Sequence, residues 1–193
     1  NYSGDYNSAF GYQSMQGNNI SGDHNTALGV SSLRFLTSGQ YNTALGSFSL
    51  YNNTTGSQNV GVGYYSLFTN TTGNGNTAVG HYALKENTTG RYNVSVGSFS
   101  LTKNTTGEYN SAFGGNSLYE NTTGSYNVAV GYSSLSDNTT GQYNTALGRN
   151  AFLYITTGSS NTAVGNSTSA SSSSAINQAV IGYQADGQAD NSV

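Results

Sequence analysis

The stretch NTTGSYNVAVG, residues 121–131, reads as a polar bend running into a short strand. It recurs one step earlier as NTTGEYNSAFG (104–114) and one step later as NTTGQYNTALG (138–148). Anchored on the closing glycine, the motif falls at Gly29, Gly46, Gly63 and so on to Gly182 with a constant 17-residue period. Gly11 precedes the series by one residue more than that period. Four residues before the anchor stands an Asn, from Asn7 to Asn161, replaced only at the end by Gln178. Four residues after it comes an apolar residue, from Met15 through Leu33 and Leu101 to Phe152. The unit is T-G-x-Y-N-T-A-L-G-x-x-S-L-x-x-N-T, and eleven copies cover nearly the whole chain. A fixed short period is the mark of a repeat architecture.

Composition narrows the class. The chain has 193 residues, of which 7% are charged and 26 are Gly. Disordered chains combine high net charge with few aromatics, but here the net charge is −3 and 16 Tyr with 7 Phe supply surface to bury. Strict register also has no use in a flexible linker. The absence of Cys excludes disulfides and thiolate metal sites. No apolar run approaches the ~20 residues of a membrane span. Both ends fall inside a repeat, so the chain reads as a piece of something longer.

The motif Asn-Thr-Ala-Leu-Gly is too short for a helical face, and Thr, Val, Tyr and Phe recur as strands prefer. Asn-Thr-Thr-Gly marks a turn where φ is free to be positive. The chain contains no Pro, as stacked strands that use every N–H require. Each unit therefore reads as two short strands and two bends. Units this small bury a face only by stacking on their neighbours. The predicted fold is all-β: a parallel β-solenoid of about eleven 17-residue coils, with neighbouring coils ~4.8 Å apart. Identical residues then form vertical ladders, and the motif Asn is read as a structural amide ladder.

With period two, Asn, Ala and Gly face one way, and Thr and Leu/Val the other. Both faces of the strand carry an apolar residue, whereas a lone solenoid wets one of them. The Leu face, with the later Leu, is read as filling the coil, and the small Ala–Gly face as allowing close approach of another backbone. A coil this short encloses little volume, so three are expected to pack side by side around a shared core. The residues alone leave open whether Leu or Ala faces that axis.

NTALGSFSL (residues 42–50) and NTAVGHYAL (76–84) resemble the N-x-A-x-G-x-x-S-x-A repeats of trimeric autotransporter adhesin heads. At the C-terminal end, NQAVIGYQADGQADNSV (177–193) is closer still, with Asn191 following Asn177 by a shorter, 14-residue step. The long form is also similar to repeats of phage tail-fibre-like proteins that end in an endosialidase-type intramolecular chaperone. The resemblance implies a left-handed β-roll assembled as a parallel homotrimer, exposed on a cell or virion surface and mounted in a longer fibre. The 17-residue period and the bulky Leu depart from the head pattern. Residues 1–165 read as regular repeats, and 166–193 as an irregular Ser-rich coil passing to the shorter repeat. The stretch NSTSASSSSAINQ (166–178) reads as a change of coil geometry and not as a pocket.

Residues able to carry chemistry are few. His24 and His81 occupy different slots of distant repeats, and neither has a partner at metal-ligand spacing. The five Asp and three Glu read as scattered, with no cleft to shift a pair of carboxylates. The glycine pairs at Gly61–Gly63 and Gly73–Gly75 precede no helix, so they are no phosphate loops. Five basic residues form no phosphate-binding patch, which argues against nucleic acid. No enzyme and no cofactor are expected. Three surface features remain. The Tyr before the ladder Asn, at Tyr92, Tyr109, Tyr126 and Tyr143 among others, forms a row able to meet host-surface carbohydrate or simply to cover the coil edge. The Thr pairs, such as Thr88–Thr89 and Thr105–Thr106, form two columns of the kind that order ice. The six Asn-x-Thr sequons from Asn53 to Asn138 arise from repetition. The expected role is a non-enzymatic structural shaft or head of an extracellular or virion fibre that presents a distal binding tip. The alternative is a direct binder of carbohydrate or ice.

Overall fold

A computed structural model describes residues 3–192; Val193, the end of the predicted shorter repeat, lies outside them, as do residues 1 and 2. The strands are β1 (Ser8–Phe10), β2 (Thr26–Leu28), β3 (Thr43–Leu45), β4 (Val60–Val62), β5 (Thr77–Val79), β6 (Val94–Val96), β7 (Ser111–Phe113), β8 (Val128–Val130), β9 (Thr145–Leu147), β10 (Thr162–Val164) and β11 (Ala179–Ile181). They form one parallel 11-stranded sheet in chain order. Ala pairs with Ala in half of the strand pairs, for example Ala27↔Ala44 and Ala129↔Ala146. The register advances by one full repeat from strand to strand, and between β1 and β2 Ser8 meets Thr26 across the one longer coil. This is a parallel β-solenoid of about ten turns.

Each coil has one strand, not the two expected. After the anchor glycine the chain runs through turns and bends, and outside the strands it makes only the isolated parallel bridges Ser159↔Ile176 and Ser169↔Asp186 among the described residues. The reason lies in three residues per coil with positive φ. In one coil these are Tyr82 (58°), Leu84 (53°) and Tyr92 (54°). Such residues reverse the direction in which the N–H points. Tyr82 N–H donates down to Tyr64 O at 3.0 Å, and Leu84 N–H donates up to Ser100 O at 3.0 Å. The turn half thus stays hydrogen-bonded to both neighbours without being a strand. A left-handed residue costs about 1–2 kcal/mol, and the inter-coil bonds offset that cost. Among the described residues, none of the non-glycine residues held at positive φ is β-branched, in keeping with the steric penalty such side chains meet there. At Gly131 (φ 132°) the close approach is stricter: a Cβ there would overlap the carbonyl oxygen of Gly148 in the coil above.

The interior corrects the expected facing. Asn and Ala of the strand point inward, but so does the later Leu of the turn half. Ala44, Ala112 and Ala129 and Leu50, Leu101 and Leu118 are all fully buried. The strand's own Leu or Val points outward. Volume decides this: the turn-half Leu reaches across a narrow coil, and a small residue opposite, Ala in most coils, Gly61 or Ser95 in two, leaves it room. At Gly61, a Cβ would already crowd the Ser49 and Ser66 hydroxyls. Each such Leu withdrawn from water contributes about 1.5–3 kcal/mol.

Two amide ladders close the coil corners. In the first, running from Asn7 to Gln178, each Asn Oδ1 accepts the backbone N–H of the Asn above, as in Asn110 N–H to Asn93 Oδ1 at 2.9 Å. From Asn25 to Asn161, each Asn Nδ2 also donates to the carbonyl 14 residues on, at the same corner one turn higher, as from Asn110 to Gly124 O at 2.8 Å. The second runs from Asn53 to Asn138 and passes Nδ2–H···Oδ1 bonds of 2.7–2.8 Å. It ends below Ile155, which leaves Asn138 Oδ1 buried without a donor.

Candidate functional site

The outward strand face runs through every coil of the sheet. Its third strand position carries Phe10, Leu28, Leu45, Val62, Val79, Val96, Phe113, Val130, Leu147, Val164 and Ile181, one per coil. At ~4.8 Å per coil this apolar stripe is about 48 Å long. Phe113, Val130, Leu147 and Val164 are between 38% and 40% exposed although wholly apolar. Contiguous apolar surface of this extent marks an interaction face in a soluble protein. No charged residue interrupts it.

The structure brings Tyr92, Tyr109, Tyr126 and Tyr143 together as one column. Their ring centroids are 5.1 Å apart, and the planes of the last three lie within 6° of parallel. Tyr6, His24 and Tyr41 form a second segment at 4.8 and 5.0 Å. Gln58 and Gly75 separate the two segments. His24 is therefore a stacked rung. Within the column each inner ring face is covered by the next ring, and the upper face of the terminal Tyr143, below Ser160, has no ring over it.

Of each Thr pair, the first ties its hydroxyl to the coil above, as Thr88 Oγ1 does to Thr105 O at 3.0 Å. The second, such as Thr89, stands exposed. The pairs thus present one free hydroxyl column at a turn, where the sequence suggested two.

The acidic residues are less scattered than expected. Glu86, Glu120 and Asp137 share one column with Lys103, all six residues after their anchor glycine. Lys103 Nζ meets both Glu120 oxygens at 2.7 and 2.8 Å, and that bond raises the Lys103 pKa. Burial, then the neighbouring Glu120 charge, pushes the Asp137 carboxyl up. Exposed pairs of this kind add little to stability. Among the described residues no group of three His, Asp or Glu is placed to hold a metal, and no helix is long and apolar enough to cross a membrane.

Sequence reasoning passed over an aromatic cluster on the turn half of the coils anchored at Gly46 to Gly97. Phe48, Tyr65, Tyr82 and Phe99 stack at 5.0–5.5 Å, and Tyr51 on Phe68 at 5.0 Å. Lys85 caps the Tyr82 ring at 5.1 Å. The signal was present as aromatics in the second and fifth slots after those glycines.

The turn half also carries concavities where the sequence suggested only altered geometry. Two adjoin beside Tyr154. One of about 200 Å³ is lined by Tyr154, Ile155, Ser169, Ala170, Ser172 and Ser173. The other, about 110 Å³, is lined by Asn150, Leu153, Tyr154, Ser167, Thr168 and Ser169.

No family model matches this chain, and neither a curated protein nor a solved structure matches it. The fold and its surfaces define a β-solenoid repeat protein.

Proposed function

We propose that this chain is a non-enzymatic segment of the shaft or head of a trimeric fibre on a cell or virion surface. In that role it holds a distal binding tip away from its base. The observation that carries the reading is the apolar stripe on the outward strand face. A rod that leaves such a stripe wet exposes a continuous site for association. Parallel, in-register copies cover it with its own equivalent in every coil. The resemblance of the repeats to adhesin heads and tail-fibre-like proteins supports three copies and the exposed location. The ladders support rigidity, because each coil is hydrogen-bonded to the next by backbone and amide alike.

The experiment uses a single cysteine in a chain that has none. With Val79→Cys on the stripe, equivalent thiols from neighbouring copies meet near the shared axis, and mild oxidation joins two chains through a disulfide. Thr89→Cys, exposed on the turn half, stays unjoined. Absence of cross-linking at Val79→Cys, or equal cross-linking at both positions, would overturn the parallel arrangement.

A further inference from the structure

At Tyr154 the regular stacking of the turn half opens. In the coils below, the residue six after the anchor glycine donates its N–H to the next coil. Asn52 bonds Phe68 O at 3.1 Å, Glu86 bonds Thr102 O at 2.9 Å, and Asp137 bonds Leu153 O at 3.2 Å. The next bond of this series would join Tyr154 N–H to Ala170 O, and it is not made. The local sequence differs here: the core Leu of the regular unit is replaced by Ser169 above Phe152, and Ser169 lacks the positive φ of that slot and pairs instead as an isolated bridge with Asp186. What remains is the pair of adjoining concavities, which share Tyr154 and Ser169.

We propose that this notch binds a neutral saccharide ring. Three features specify the class. First, Tyr154 is 69% exposed and stacks on no other aromatic ring among the described residues, whereas every ring of the Tyr column has at least one face covered by a neighbour. A sugar needs a free ring face, and Tyr154 offers one. Second, the Tyr154 N–H donor and the Ala170 C=O acceptor make no backbone hydrogen bond among the described residues, and both residues line the same concavity. A sugar hydroxyl pair, which both accepts and donates, matches them. Ser169 and Ser173 add hydroxyls that make no side-chain hydrogen bond within the described residues. Third, no charged side chain lines either concavity, so nothing there compensates an anionic or cationic ligand. An apolar platform with a few convergent polar groups is the usual make-up of a small-ligand site. The site is independent of the shaft reading, since it lies on the turn half and away from the strand stripe.

The test is saturation-transfer NMR and calorimetry on the assembled chain. The probes are a panel of glucose, galactose, mannose and N-acetylglucosamine, with sialic and glucuronic acid as anionic comparators. At least one neutral sugar is expected to bind. Tyr154→Ala should weaken that binding by about tenfold, the loss of one aromatic contact, with an unchanged circular dichroism spectrum. Tyr154→Phe should retain it, and Tyr143→Ala should leave it intact. The proposal is overturned if no neutral sugar binds up to the solubility of the panel, or if the acidic sugars bind more tightly. It is equally overturned if binding survives Tyr154→Ala, or if Tyr143→Ala abolishes it and so places the site on the column.

Discussion

Removal of Thr89 through Thr105 leaves a protein that folds and is one coil shorter. The deletion spans one full period and joins Thr88 to Thr106, so the corner still reads Asn-Thr-Thr-Gly. Every ladder continues across the junction. Asn76 meets Asn110 in the first column, Asn87 meets Asn121 in the second, and Leu84 meets Leu118 in the core. In a stack of nearest-neighbour interfaces, stability falls by about one coil's share, and the rod shortens by ~4.8 Å. Deleting half that length has a different outcome. It sets inward Asn and Leu slots over outward ones, and a slipped register turns buried residues to solvent. That variant should lose its β-sheet circular dichroism and aggregate. X-ray scattering lengths and circular dichroism of the two deletions decide the matter. Equal damage from both would show that the coils are not interchangeable units.

Replacing Asn110 by Asp, a change of one atom, should cost roughly 3 kcal/mol or more at neutral pH, as burial of an uncompensated charge does. Asn110 is fully buried. Its Nδ2 donates to Asn93 Oδ1 at 3.1 Å and to Gly124 O at 2.8 Å. In the variant a carboxylate oxygen faces those two acceptors. Burial and the lost donors raise the folded-state pKa of the new carboxyl above its unfolded value, so the folded state holds the proton more tightly. The variant is therefore most stable below the ordinary carboxylate range and loses stability as pH rises through the raised folded value. Urea denaturation at about pH 4 and about pH 7 should show a gap between variant and parent that widens with pH. A variant as stable as the parent at neutral pH would mean that the amide ladder is not a buried hydrogen-bonded column.

The parallel solenoid was legible because its cause is repetition itself. Asn at a fixed slot, Gly at the anchor and the absence of Pro all point to stacked coils. The facing of the strand was not legible, because alternation puts Ala and Leu on opposite sides without saying which is inside. The turn-half Leu101 settles it by filling the coil, and a side chain reaching across a turn lies outside any period-two count. The single strand per coil was hidden for a related reason. Tyr82, Leu84 and Tyr92 carry ordinary side chains, and nothing in their identity announces a positive φ. The Tyr column was visible as a row, but its spacing of 5.1 Å, which covers each inner ring face with the next ring, is a property of the stack. The notch beside Tyr154 escaped notice because it arises from a hydrogen bond that is not made.

Whether the outward strand stripe is covered by further copies of the same chain is tested most directly by multi-angle light scattering of the purified protein in dilute buffer. A single β-rich species is expected, with three times the 20.0 kDa mass of one chain. Phe113→Glu on the stripe should break that species into smaller or aggregated forms. A stable, soluble, β-rich species of 20.0 kDa would contradict the trimer.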